Sequence, residues 1–123
     1  MKHLLDITDM SVSEIDALVN QAENIMKNRE AYAHALDGKT LATLFFEPST
    51  RTRLSFEAAM LELGGRVLGF SSADSSSAAK GETVGDTARV VSCFSDVIAM
   101  RHPKDGAARA AAAWAPVPLI NAG

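Results

Sequence analysis

Four short apolar runs that alternate with helical segments constrain this fold more than any other feature of the sequence. The runs lie at 41–46, 67–70, 97–100 and 117–121. Strands that alternate with helices along a chain form a parallel sheet with right-handed crossover connections. The first run is apolar at almost every position, which is typical of a strand covered on both faces. The sequence therefore predicts an α/β fold with three layers, in which helices flank a four-stranded parallel sheet.

Helical segments lie before and between these runs. Ser11 and Glu14 have the spacing of a capping box, in which each side chain satisfies a backbone N–H group of the other residue. Behind them, apolar residues recur at helical intervals between Ile15 and Met26 and form one apolar stripe. Further helices are predicted from Ser49 or Thr50 to the stop signal Gly64-Gly65, from about Thr83 to Phe94, and from Gly106 to Trp114.

Length and charge narrow the class of protein. The chain has 123 residues and a formal net charge of -3, which suits one domain and disfavours a nucleic-acid or anionic-membrane partner. Its single cysteine, Cys93, excludes an internal disulfide and suits a reducing compartment. Asp6 interrupts the apolar N-terminus, and the apolar stretch 110–120 is shorter than the ~20 residues that span a bilayer. We therefore expect a soluble, cytoplasmic protein.

Polar residues concentrate where three of the predicted strands end. They occupy 49–53, 71–80 and 101–102. Ligands of parallel sheets bind at the carboxyl ends of the strands, where the loops into the following helices meet. These three segments are therefore the candidates for a binding site.

The segment 49–53, Ser-Thr-Arg-Thr-Arg, stands directly after a buried strand and at the start of a helix. Free backbone N–H groups and the positive end of the helix dipole attract anions there, and Arg51 can meet two phosphate oxygens as a planar fork. On a helix Arg53 points away from Arg51, and we expect it to pair with Glu57, one turn later. From the residues alone, a phosphate or carboxylate site and a capped helix start with two surface arginines stay equally open.

The other polar segments carry weaker signals. The serine-rich loop could bring Lys80 over a bound anion, or it could be a solvated linker. Arg101 could be a second anion contact, or a turn residue fixed by the proline two positions later. His102 has no Cys or His partner at metal-ligand spacing, and Cys93 lies in an apolar helical stretch that favours a place in the core. The sequence therefore predicts neither a metal site nor a cofactor.

Four segments, taken in order, resemble the aspartate carbamoyltransferase family. Residues 45–57, FFEPSTRTRLSFE, are similar to the carbamoyl-phosphate signature shared by aspartate and ornithine carbamoyltransferases. Residues 80–83 with 86–87 resemble a loop of the aspartate branch. Residues 100–103, followed by 106–109, and residues 117–123 are also similar to that branch. Several motifs in the correct order and at the correct separations are a more specific signal than any one of them.

The resemblance implies a carbamoyl-phosphate site at the start of the helix that follows the first strand. The residues that would cradle the phosphate are Ser49, Thr50, Arg51 and Thr52. Thr52 and Arg101 would also approach the carbamoyl oxygen and polarise it. The amino group of L-aspartate would then attack the carbamoyl carbon, giving N-carbamoyl-L-aspartate and phosphate for pyrimidine biosynthesis. Positioning and charge stabilisation by preset donors would supply most of the catalysis.

The resemblance also implies that neighbouring subunits share their sites. Ser77 and Lys80 would reach into the site of the next subunit, and Ser76 is the alternative to Ser77 because the length of this loop leaves the register open. The catalytic unit would therefore be a homotrimer, and regulatory chains are further candidate partners. No cofactor is implied.

Members of this family continue, beyond the position of Gly123, into a second histidine-proline motif and an aspartate-binding domain. The resemblance therefore covers the carbamoyl-phosphate-binding domain, residues 1–123, and L-aspartate would bind only if the second domain is supplied. We expect negligible turnover by this chain alone, because one reactant lacks its site. Two alternatives remain. One is a non-catalytic phosphate-binding or assembly module, and the other is the ornithine branch, which Arg101-His102-Pro103 and Lys80-Gly81-Glu82 disfavour.

Overall fold

The computed structural model describes residues 3–70 and 83–123, and these form nine helices and strands besides a short 3-10 turn at Ile7–Asp9. Ser76, Ser77 and Lys80 of the serine-rich loop lie outside the described residues. The helices are α1 (Val12–Lys27), α2 (Arg29–Tyr32), α3 (Thr50–Glu62), α4 (Val84–Val91) and α5 (Ala107–Ala112). The strands are β1 (Thr40–Phe45), β2 (Arg66–Phe70), β3 (Val97–Arg101) and β4 (Leu119–Asn121).

The four strands form one parallel sheet in the order β2-β1-β3-β4. β1 and β3 occupy the middle, and their register places Phe45 opposite Arg101. On the other side of β1, Thr43 lies opposite Gly69 of β2. The predicted four-stranded parallel sheet is confirmed. The carboxyl ends of its strands meet at one edge, where parallel sheets bind their ligands.

Helices cover both faces of the sheet. On one face, β1, β3 and β4 pack against the alanine-rich sides of α4 and α5, whose Ala88 and Ala111 are fully buried. On the other face, Met60 of α3 packs against Leu41 and Ala99 of the two central strands. The predicted arrangement of three layers is thus confirmed, and α3 is the helix that leads away from the end of β1.

Helix α1 begins at the predicted capping box. The Ser11 hydroxyl accepts the Glu14 N–H at 3.1 Å, and the Glu14 carboxylate accepts the Ser11 N–H at 3.0 Å. None of the residues of α1 is buried, and Leu18 and Met26 of the apolar stripe remain 52% and 68% exposed. The periodicity predicted the helix and its stripe correctly, whereas burial depends on what the rest of the fold places against that stripe.

Three elements are shorter than the sequence predicts. Helix α4 ends at Val91 rather than near residue 94. Just after this end, the Ser92 hydroxyl donates to the Ala88 carbonyl, and the Ser95 hydroxyl donates to the Val91 carbonyl. Cys93 is therefore exposed in the turn that follows, and its predicted place in the core is wrong. Helix α5 and strand β4 also cover less than their predicted ranges.

In residues 3–70 and 83–123, no helix is long and apolar enough to cross a membrane. In the same ranges, no group of three or more His, Cys, Asp or Glu side chains could hold a metal ion.

Candidate anion-binding site

The first turn of α3 has the charge pattern of an anion site. Ser49 is the N-cap residue, and its side chain accepts no N–H group of the helix. The N–H groups of the first turn have no acceptor within the helix because no helical residue precedes them. This turn contains no acidic residue, although carboxylates are favoured there, and it carries Arg51 and Arg53 instead. The helix dipole and the guanidinium groups therefore attract the same negative charge.

Arg101 reaches this turn from the end of β3. The pairing of β3 with β1 brings Arg101 beside the residues that connect β1 to α3. Its Nη1 donates to the Ser49 hydroxyl at 3.2 Å, and its Nε donates to Oε1 of Glu47 at 2.8 Å. Two residues that are 52 positions apart in the sequence thus form one cluster, as the convergence of strand ends predicts.

Glu47 is the member of this cluster that sequence reasoning missed. It lies between β1 and α3, inside the segment that carries the family signature, and its side chain is 34% exposed. The only signal was its position, since a glutamate on a loop has no period or spacing that predicts a partner. Its carboxylate neutralises part of the charge of Arg101 and fixes the direction of that guanidinium group.

The other predicted site residues surround the cluster. Thr50 and Arg51 are exposed, and Thr52 is half-buried. Four other arginines form ion pairs with carboxylates in the described ranges, whereas Arg51 has no carboxylate partner there. The Arg101 side chain is 31% exposed. Both guanidinium groups are therefore accessible to a small anion at the start of α3.

Arg53 is held on the other side of the helix, as the sequence predicts. Its Nε donates to Oε2 of Glu57 at 3.0 Å. The same oxygen accepts the hydroxyl of Thr43 at 2.8 Å, from the neighbouring strand β1. Thr43 was missed from the sequence, although a hydroxyl in an otherwise apolar buried strand is a signal that it has a specific partner.

His102 lies next to Arg101, and its surroundings disfavour the protonated form of the ring. Its ring packs against Phe46, with 4.9 Å between the ring centroids, and its Nδ1 accepts the N–H of Lys104 at 3.0 Å. Burial lowers the pKa of His102, the charge of Lys104 lowers it further, and Glu47 opposes both effects. The ring therefore serves as a hydrogen-bond acceptor at the edge of the site.

The sequence of this chain is similar to those of known carbamoyltransferases. The family model described as aspartate/ornithine carbamoyltransferase, carbamoyl-P binding domain, matches residues 2–123. The aspartate carbamoyltransferase catalytic subunit of Lachnoclostridium phytofermentans is 60% identical over 123 residues, which are 100% of this chain and 40% of that protein. The corresponding subunit of Clostridium kluyveri is 53% identical over 122 residues, with 99% of this chain and 40% of that protein covered.

Solved structures give the same result. The catalytic subunit of M. jannaschii aspartate transcarbamoylase matches with a TM-score of 0.93 and 49% identity, over 100% of this chain and 42% of that one. Trypanosoma cruzi aspartate transcarbamoylase, in complex with carbamoyl phosphate and aspartate, matches with a TM-score of 0.89 and 40% identity, over 99% of this chain and 41% of that one. Anabolic ornithine carbamoyltransferase from Campylobacter jejuni matches with a TM-score of 0.88 and 42% identity, over 99% and 39%.

The two branches of the family are therefore alike in fold, whereas the similar sequences named above are aspartate carbamoyltransferases. The chain spans about 40% of the length of these relatives. With a family model that covers nearly every residue, the chain belongs to the aspartate/ornithine carbamoyltransferase family and corresponds to its carbamoyl-phosphate-binding domain.

Proposed function

We propose that this chain is the carbamoyl-phosphate-binding half of an aspartate carbamoyltransferase. The observation that carries the proposal is the meeting of Ser49 and Arg101 at the start of α3, whose first turn has no acidic residue. Carbamoyl phosphate is a small anion with a phosphate at one end and a carbonyl at the other. Helix N–H groups and arginine forks recognise the first part, and a further cation polarises the second.

The phosphate end binds at the helix entrance. The residues that hold it are Ser49, Thr50, Arg51 and Thr52, which supply hydroxyl, backbone N–H and guanidinium donors. Thr52 and Arg101 face the carbamoyl oxygen, where negative charge develops during the reaction. Because these donors belong to the end of a strand and the start of a helix, little reorganisation is needed as the charge builds up.

The full reaction transfers the carbamoyl group to L-aspartate. The amino nitrogen forms a bond with the carbamoyl carbon, the bond from that carbon to the phosphate oxygen breaks, and phosphate leaves with the electron pair. The amino group loses a proton, and the products are N-carbamoyl-L-aspartate and phosphate. Arg51 and Arg101 stabilise the charge that accumulates on the leaving phosphate and on the carbamoyl oxygen.

In this proposal L-aspartate binds in a second domain, which would lie in the part of the relatives that this chain does not span, since the chain covers 40% of the L. phytofermentans subunit. The related T. cruzi enzyme has been crystallised with carbamoyl phosphate and aspartate together. Without a second reactant held nearby, the advantage of positioning is lost, so this chain alone gives negligible turnover. The second candidate function is a phosphate-binding or assembly module without turnover of its own, which the same donors at the start of α3 would serve.

The active unit in this proposal is a homotrimer in the cytoplasm, to which regulatory chains could bind. Ser77, or Ser76, and Lys80 complete the site of a neighbouring subunit. A reducing compartment suits the single exposed thiol of Cys93. Light scattering tests the assembly, since a purified chain that remains monomeric cannot share its loop.

Titration calorimetry with carbamoyl phosphate, or with a bisubstrate phosphonate, tests the proposal. We expect Arg51→Gln to weaken binding by about tenfold or more, because a charge-assisted fork to phosphate is lost. Arg66→Gln makes the same charge change at the start of β2, at the opposite edge of the sheet, and is the matched control. Equal affinities of the two variants and the wild type would remove Arg51 from the phosphate site.

A further inference from the structure

One carboxylate oxygen ties the second turn of α3 to the central strand β1. Oε2 of Glu57 accepts the Thr43 hydroxyl at 2.8 Å and the Arg53 Nε–H at 3.0 Å. Thr43 is fully buried, and the side chains of Arg53 and Glu57 are only 29% and 17% exposed. A buried hydroxyl without a partner is costly, so this hydrogen bond fixes the direction of the Thr43 side chain.

The neighbouring strand is shaped around this contact. Gly69 of β2 lies opposite Thr43 and has a φ of 153°. A Cβ atom at position 69 would lie 2.5 Å from the Thr43 hydroxyl oxygen and would also overlap the Thr43 carbonyl group. Glycine at this position therefore leaves room for the hydroxyl to face α3.

The geometry points to a positioning role for Thr43 in the phosphate site, a role that rests on the function proposed above. Thr43 lies two residues before the end of β1, and Glu57 lies in the second turn of α3. The residues between these elements include Ser49, whose hydroxyl meets Arg101. The Thr43–Glu57 hydrogen bond sets the position of the helix entrance relative to the strand, and hence the position of the phosphate donors.

The same carboxylate also controls which arginine is available. Glu57 holds Arg53 along the side of α3, while Arg51 has no carboxylate partner among the described residues. Among the described residues, Arg51 is therefore the guanidinium group of this turn that no carboxylate holds. Loss of the Thr43 hydroxyl leaves Glu57 held by Arg53 alone, so both the carboxylate and the first turn of α3 gain freedom.

Calorimetry with inorganic phosphate and with carbamoyl phosphate tests this role in a set of variants. Thr43→Val keeps the shape of the side chain but removes the donor, and we expect it to weaken binding by about tenfold. Thr43→Ser keeps the hydroxyl and should restore the affinity to within about twofold of the wild type. Ser92→Ala removes a different buried hydroxyl, which donates to the Ala88 carbonyl on α4, and controls for a general loss of stability.

The outcomes separate this inference from the proposed function. Equal binding by Thr43→Val and the wild type overturns the positioning role and leaves the proposed function standing. Equal weakening by Thr43→Val and Ser92→Ala also overturns it, since general stability would then explain the loss. If the wild type binds neither ligand, the proposed function fails and this role fails with it.

A second variant and a spectroscopic signal keep the test decisive if Thr43→Val does not fold. Glu57→Gln retains an oxygen acceptor but removes the charge that holds Arg53, and we expect about threefold weaker binding. The nuclear magnetic resonance signal of the Arg53 Nε–H should move in this variant and stay unchanged in Thr43→Ser. An unchanged affinity together with an unchanged signal would overturn the inference.

Discussion

Glu47→Gln is the perturbation that most directly tests how the site handles charge. In the structure the Glu47 carboxylate accepts the Arg101 Nε–H at 2.8 Å, so the guanidinium group that should meet the anion is already partly neutralised. The two side chains are 34% and 31% exposed. A glutamine keeps an oxygen acceptor for Arg101 but removes the negative charge that repels phosphate. We therefore expect tighter phosphate binding.

The magnitude follows from the distance between the charges. A phosphate on the far side of the guanidinium group would lie about 7 Å from the Glu47 carboxylate, given ordinary hydrogen-bond lengths on both sides. At the dielectric constant of water, the repulsion of a dianion by one carboxylate over this distance is about 1 kcal/mol, and the lower effective dielectric constant around these partly exposed side chains raises it. That energy corresponds to about a fivefold gain in affinity.

Calorimetry with inorganic phosphate at low ionic strength measures this gain directly. The gain should shrink in high salt, because screening acts on charges that solvent can reach. Glu23→Gln makes the same charge change on an exposed residue of α1 and should alter the affinity by less than about twofold. Unchanged or weaker binding by Glu47→Gln would refute the reasoning, and Glu47 would then act by orienting Arg101.

Two further predictions concern stability. Because burial lowers the pKa of His102, the unfolded chain binds the proton first, and the free energy of unfolding should fall as the pH drops below about 6.5. The fall is complete once the pH is below the pKa of His102 in the folded chain. Urea titrations at several pH values measure it, and they should show a shallower fall in His102→Asn. The side-chain oxygen of that asparagine can still accept the Lys104 N–H. Ser11→Ala removes the hydroxyl of the α1 capping box and should lower the free energy of unfolding by about 1 kcal/mol, whereas Ser11→Asn should retain most of it in the same assay.

The architecture could be predicted because each local signal agreed with the others. Ser11 and Glu14 predicted the start of α1, and the apolar run at 41–46 predicted a strand buried on both faces. Parallel topology then required the ends of β1 and β3 to meet. From this rule alone, Ser49 and Arg101 are predicted to lie near each other, although the rule gives no distance between them.

Other contacts depend on the register of the strands and could not be predicted. Glu47 pairs with Arg101 because β3 lies beside β1 with Phe45 opposite Arg101, and a shift of one residue would send that side chain to the other face. Thr43 meets Glu57 only because its side chain faces α3 and β2 has a glycine opposite it. Such pairs carry no periodic pattern in the sequence.

The positions of the carboxylates explain how a chain with a negative net charge can have a positively charged candidate site. α1 and α4 each carry an acidic residue in the first turn, Glu14 and Asp86, which compensates the helix dipole. Among the described helices of eight or more residues, α3 alone has no acid there. Two carboxylates beside this turn, Glu47 and Glu57, are each bound to an arginine. The helix dipole and the guanidinium groups act on an anion over a few ångströms, whereas the more distant carboxylates are screened by salt. A chain with a net charge of -3 can therefore have a locally positive site.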